Sequence, residues 1–217
     1  MVKNKKLVII VPCYNEVETI IKTYNKTKIY GVPIIIDDCS NDGTRKILNS
    51  KKINFIKNKK RSGYEQSIIN GFNYINKNLK GVKFIATIDA DLELPPKNLP
   101  KLYKEIQKKN LDIIVGSRNR LNRILEYLLS FLFKIKFNIS DPISGLKIYR
   151  KTKIKKILNK VSNNLFLVDV LILSFNKKFN IGSNKIFTKK RKDLPRVGNS
   201  LRVNLKILKI IFYSIFS

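Results

Sequence analysis

Asp89 and Asp91 stand one residue apart just after the apolar stretch 84–88, and Glu93 follows two positions later. A second apolar stretch, 32–36, runs into the paired acids Asp37 and Asp38. A buried strand that ends in carboxylates delivers charge to the mouth of a sheet. Oxygen ligands at the Asp89/Asp91 spacing suit a hard divalent cation, Mg²⁺ or Mn²⁺, that also holds substrate phosphates. The 217-residue chain has only 15 Asp and Glu against 45 Lys and Arg, so acids gathered at strand ends mark a site rather than a solvated face. There is no histidine, which excludes imidazole catalysis and imidazole metal ligation.

Those acids need elements to hold them. Apolar runs at 7–11, 32–36, 53–56, 84–88 and 112–115 read as strands, and helical patterns fill the intervals at about 16–30, 43–50, 64–76 and 97–109. In the third of these, Ile68, Ile69, Phe72 and Ile75 recur at helical spacing. Alternation of this kind predicts an α/β fold, a mostly parallel, doubly wound sheet in three α/β/α layers. Such sheets bind ligands beyond the carboxyl ends of their strands. Asn15, Glu16, Asp37, Asp38, Asp89 and Asp91 all fall there.

The formal charge is +30, and the half after residue 112 is the more basic, with Glu126, Asp141, Asp169 and Asp193 as its acids. That half should attract an anionic partner, either a membrane surface or nucleic acid. A Lys-, Asn- and Ile-rich composition is the plainer account of part of the excess. No helix-turn-helix, zinc or RNA-binding aromatic signature supports a nucleic-acid partner. Cys13 and Cys39 lack framework spacing and fit a reducing compartment. No signal peptide is read at the N-terminus and no apolar run is long enough to span a bilayer. The expected location is cytoplasmic, peripheral on the membrane.

Two helical segments carry that expectation. In 124–137, Glu126, Ser130 and Lys134 form a narrow polar face among apolar residues, and 201–217 sets Arg202, Lys206 and Lys209 among Leu, Ile and Phe. Each is either core or an interfacial helix, and their pairing in the basic half points to a membrane surface. The expected division is a catalytic domain over 1–200, with halves 1–118 and 119–200, followed by a basic amphipathic tail over 201–217.

The order of motifs resembles that of family 2 glycosyltransferases with the GT-A fold, a Rossmann-like nucleotide-sugar transferase fold. The strings are Val-Pro-Cys-Tyr-Asn-Glu ending at Glu16, Asp-Asp-Cys-Ser-Asn-Asp-Gly-Thr ending at Thr44, Asp-Ala-Asp ending at Asp91, and Gly-Ser-Arg ending at Arg118. Asp-Pro-Ile-Ser-Gly-Leu-Lys over 141–147 resembles an element of the dolichyl-phosphate mannose synthase branch, and 196–202 resembles that branch's basic loop. Cys39 stands in place of a common glycine and Leu201 in place of a lysine, with Arg202 one position on.

The resemblance implies transfer of a hexose from a nucleotide diphosphate sugar to a polyprenyl or dolichyl phosphate, with inversion. It implies metal ligation by Asp91 with Glu93, supported by Asp89, and charge neutralisation at the diphosphate by Arg118. Pro12, Tyr14, Glu16, Ile36, Asp38 and Ala90 would line the donor pocket, Glu16 toward the ribose and Asp38 toward the base. Asp141, Ser144, Lys147, Arg196 and Arg202 would face the acceptor, and Asp169, a lone acid in an apolar helical stretch, would be the acidic residue near it. Attachment would be to an anionic membrane surface, or through a separate membrane subunit. The runner-up is the same fold acting on a saccharide hydroxyl, which needs a general base. A nucleotidyltransferase would need a glycine-rich phosphate loop after the first strand, and residues 12–16 are not one.

Overall fold

β1 (Leu7–Cys13) is buried along its whole length and splits its side chains between two cores. Leu7, Ile9, Val11 and Cys13 join one apolar cluster, Val8 and Ile10 the other, as the period of two along a strand requires. The computed structural model describes residues 6–121, 123–162, 165–189 and 201–216. β1 is followed by α1 (Ile20–Thr27), β2 (Val32–Asp37), α2 (Thr44–Ser50), β3 (Phe55–Lys57), α3 (Tyr64–Asn78) and β4 (Phe84–Thr87). Then come α4 (Leu99–Lys108), β5 (Ile113–Ser117), α5 (Ile124–Phe137), β6 (Lys147–Arg150), the single turn α6 (Lys151–Ile154), α7 (Phe166–Asn176), β7 (Ile181–Lys185) and α8 (Leu201–Phe216).

Among the described residues seven strands form one sheet in the order β3-β2-β1-β4-β6-β5-β7. Helices α1, α2 and α4 cover one face and α3, α5, α7 and α8 the other, each contributing to its own cluster. The expected three layers are present, and the pairings among β1 to β4 are parallel. β6 was not foreseen. It enters antiparallel between β4 and β5, placing Lys147 opposite both Thr87 and Val115.

The first helix begins at Ile20, later than the helical pattern from about residue 16 suggests. Asn15 is left-handed at φ 54°, and the next amides are taken from outside any helix. The Glu16 N–H donates to Thr44 Oγ1 at 2.9 Å and the Val17 N–H to Asp42 Oδ2 at 3.1 Å. Residues 14–19 thus form a loop tied to the start of α2, at the carboxyl edge of the sheet.

Helix α5 turns Glu126 and Ser130 inward but leaves Lys134 and Lys136 exposed. Glu126 is 3% exposed, the Ser130 hydroxyl donates to the Ser140 carbonyl, and Leu129, Phe133 and Phe137 are buried beside them. The face left to solvent carries the large apolar side chains Ile124, Tyr127, Leu128, Phe131 and Ile135, with Lys134 and Lys136 toward its C-terminal end. Helix α8 packs on α5, burying Ile207, Ile210 and Ile211 while Leu205, Leu208 and Phe212 stay exposed.

Candidate functional site

The loops after β1, β2 and β4 converge. Pro12 and Ile36 are register partners in neighbouring strands, and the Asp38 N–H donates to the Cys13 carbonyl at 2.8 Å. The Asn15 N–H donates to Ser40 Oγ at 2.9 Å, and the Asn41 N–H to Asn15 Oδ1 at 2.9 Å. Tyr14 lies under the Arg61 guanidinium, 4.1 Å from its ring centroid, a cation–π stack at the rim. The Ala90 carbonyl, which holds the Asp89–Asp91 turn, accepts from Thr23 Oγ1 of α1 at 2.7 Å.

Two of the acids expected at the donor also bind the chain itself. Asp38 is 4% exposed. Its Oδ1 accepts from Asn58 Nδ2 and from the Ser62 N–H, each at 2.8 Å, and its Oδ2 accepts from the Gly63 N–H at 2.8 Å. It builds the wall formed by residues 58–63 rather than standing open to a base. Glu16 is also buried, its Oε2 accepting from the Thr19 hydroxyl at 2.7 Å.

Asp89, Asp91 and Glu93 lie within electrostatic reach of one another. Burial first, and then the charge of Asp91, pushes the Asp89 carboxyl up to about 7, with Glu93 adding to the rise; a Tyr64 hydrogen bond and Arg118 oppose it. Crowded carboxylates that hold a proton near neutrality are relieved by a cation, so the donor set fits Mg²⁺ or Mn²⁺. Among the described residues no three such side chains close a metal cage by themselves.

Tyr64 was not anticipated as a site residue. It opens α3, and its hydroxyl donates to Asp89 Oδ1 at 2.5 Å. Burial of that hydroxyl and the Asp89 charge raise its pKa well above the ordinary tyrosine value. Gly145 was not assigned a role either. A Cβ there would meet both Asp89 oxygens at 2.4 Å. The signal for Gly145 was legible, since a glycine just before a strand often marks close approach; nothing in the sequence distinguishes Tyr64 from other surface tyrosines.

Arg118 is oriented by two acids. Its Nε and Nη2 donate to Asp141 Oδ2 and Oδ1, its own N–H donates to Asp141 Oδ2 at 3.0 Å, and Nη2 lies 3.4 Å from Glu126 Oε2. Burial alone would lower the guanidinium's proton affinity, but the hydrogen bonds and charge of Asp141 outweigh it and hold it above its ordinary value. Arg118 still faces the acids, since its charge acts on Asp89.

The element 141–147 lies beneath the site instead of presenting itself to an acceptor. Asp141 and Ser144 are each 1% exposed and Lys147 0%. Lys147 begins a strand inserted between two others under layers on both faces, so its ammonium cannot reach solvent; Nζ donates to the Ser144 carbonyl at 2.5 Å. Burial pushes its pKa down to about 7 against the pull of Asp141 and Asp89. Asp169 is buried on α7, its Oδ2 accepting from the Ser162 N–H at 2.6 Å and its Oδ1 from the Tyr213 hydroxyl of α8 at 3.0 Å. Arg196 lies outside the described residues, as does the side chain of Arg202 in the first turn of α8.

The comparisons agree with this architecture. The model for Glycosyl transferase family 2 matches residues 8–158. Dolichol-phosphate mannosyltransferase of Pyrococcus furiosus is 29% identical over 192 residues, 77% of this chain and 52% of that protein. Dodecaprenyl-phosphate galacturonate synthase of Rhizobium johnstonii is 25% identical over 181 residues, 72% of this chain and 51% of that protein. The chain spans about half the length of these curated relatives. Glucosyl-3-phosphoglycerate synthase from Mycobacterium tuberculosis, solved with Mn²⁺, uridine diphosphate and glucosyl-3-phosphoglycerate, superposes with a TM-score of 0.74 at 14% identity, over 96% of this chain and 78% of that one. That likeness is one of fold, the GT-A arrangement implied by the motifs. With the family match running from β1 to just beyond α6, through every strand-end acid of the site, the chain belongs to glycosyl transferase family 2.

Proposed function

We propose that this chain transfers a hexose from a nucleotide diphosphate sugar to a polyprenyl phosphate at a membrane surface. One observation carries the reading. Helix α5 sends Glu126 to Arg118, which acts on Asp89, while its outer face exposes Ile124, Tyr127, Leu128, Phe131 and Ile135. A single helix therefore joins the charged site to an apolar surface that a bilayer would cover. The names of the two curated relatives, both acting on polyisoprenoid phosphates, support the same acceptor class. No helix among the described residues is long and apolar enough to cross a membrane; the exposed apolar faces of α5 and α8 are the surfaces that would lie against it.

The donor diphosphate would sit over Asp89, Asp91 and Glu93. A divalent ion bound there would neutralise charge as the diphosphate leaves. Asp91 and Glu93 would hold that ion, and Arg118, fixed by Asp141, would add a pre-oriented positive charge. An acceptor that is its own nucleophile needs no general base, whereas a sugar hydroxyl does. A phosphate monoester is such a nucleophile.

The test is incubation of the chain with radiolabelled GDP- and UDP-hexoses, Mn²⁺ and a polyprenyl phosphate in anionic vesicles. Label should enter the organic-extractable phase. Label appearing only on soluble saccharides would overturn the lipid-phosphate reading in favour of glycan assembly.

A further inference from the structure

Asp89 is gripped from outside its own loop. The Tyr64 hydroxyl donates to its Oδ1 at 2.5 Å. The Gly145 backbone closes on the same carboxylate, and the Gly145 carbonyl is in turn held by the Thr87 hydroxyl at 2.8 Å. Tyr64 is itself set from another strand end. Asp38, following β2, binds the N–H groups of Ser62 and Gly63, the two residues before Tyr64. The Ser67 N–H and hydroxyl both donate to the Gly63 carbonyl, locking the first turn of α3. A continuous path therefore runs from the end of β2, through Asp38, Gly63 and Tyr64, to the acid that follows β4.

We propose that Tyr64 is a positioning residue of the donor site: its hydroxyl fixes one oxygen of Asp89 so that the other is presented to the cation-bound donor beside Asp91. This rests on the glycosyltransferase reading of the site. The physical need is plain. Asp89 stands among like charges from Asp91 and Glu93, and a carboxylate free to rotate would turn away from them. A hydroxyl donor on one oxygen and a backbone wall against the side chain leave it a single orientation. Tyr64 is 36% exposed and joins neither apolar core cluster, so trimming its hydroxyl opens no core.

The experiment is calorimetric titration of the chain with UDP and with GDP, each with and without saturating Mn²⁺, for the unmodified protein, Tyr64→Phe, Asp89→Asn and the double variant. Losing a hydrogen bond to a charged group should weaken Mn²⁺-dependent nucleotide binding by about tenfold in Tyr64→Phe. Nucleotide binding without Mn²⁺ and the thermal midpoint should stay essentially unchanged. In the Asp89→Asn background the same substitution should add nothing, because the two residues act as one unit. Unchanged or tighter binding in Tyr64→Phe overturns the assignment, as does an equal loss in the Asp89→Asn background. If the unmodified chain binds neither nucleotide under any of these conditions, the donor-site reading itself fails, and the Tyr64 assignment fails with it.

Discussion

Arg118 and Asp141 form a forked ion pair, with Nε to Oδ2 at 2.8 Å and Nη2 to Oδ1 at 3.1 Å, and with Asp141 1% exposed. A buried pair of this geometry is costly to break because the remaining charge has lost its partner. Asp141 thus acts through Arg118, holding a cation that follows β5 and whose charge acts on Asp89.

Asp141→Asn should therefore destabilise the fold by roughly 3 kcal/mol, measured by urea unfolding. Glu126 would still be within reach of Arg118, which keeps the loss below complete unfolding. A change under about 0.5 kcal/mol, the range of a surface substitution, would show that the pair contributes little.

Gly145→Ala should separate stability from function. The added Cβ meets the end of the Asp89 side chain rather than backbone, so the carboxylate can swing aside at small cost to the fold. Transfer and Mn²⁺-dependent nucleotide binding should be lost, with the thermal midpoint within a few degrees of the parent. Full activity would mean that the Asp89 orientation seen here is not the one used.

Lys147 makes stability depend on pH. Burial lowers its pKa from 10.5 to about 7 in the folded chain, so between those values the unfolded state binds the extra proton. Stability should rise with pH across that window and the penalty should be fully present below about 7. Asp89, raised from 3.8 to about 7, contributes the opposite slope at lower pH. Lys147→Met should flatten the rise between pH 7 and 10, read from unfolding free energies at several pH values. A rise of the same size in Lys147→Met would assign it to other groups.

Phe131→Ser combined with Ile135→Ser should reduce partition to anionic vesicles by about tenfold or more. Both side chains are largely exposed, at 62% and 69%, so little core is lost and the thermal midpoint should hold. On the proposed membrane contact, removing two exposed apolar groups removes on the order of 2 kcal/mol or more of membrane affinity. Equal partition of variant and parent would remove the α5 face from the membrane contact.

The strand-end acids and the alternation of strands and helices were legible in the chain, because both are local. A buried parallel strand is a continuous apolar run, and the residue after it must sit at the sheet's carboxyl edge, whatever lies elsewhere. The roles of Asp38, Asp141 and Lys147 were not legible in the same way. Each depends on a pairing across long sequence distance: Asp38 with the amides of Ser62 and Gly63, Asp141 with Arg118, and Lys147 with the two strands between which β6 inserts. A polar residue next to a motif looks available until the tertiary structure supplies its partners. The inward turn of Glu126 follows the same logic, since helical spacing groups residues on a face but does not say which face meets the core. Tyr64 is the clearest case, for only the packing of α3 on β1 and β2 brings its hydroxyl to Asp89, which follows the neighbouring β4.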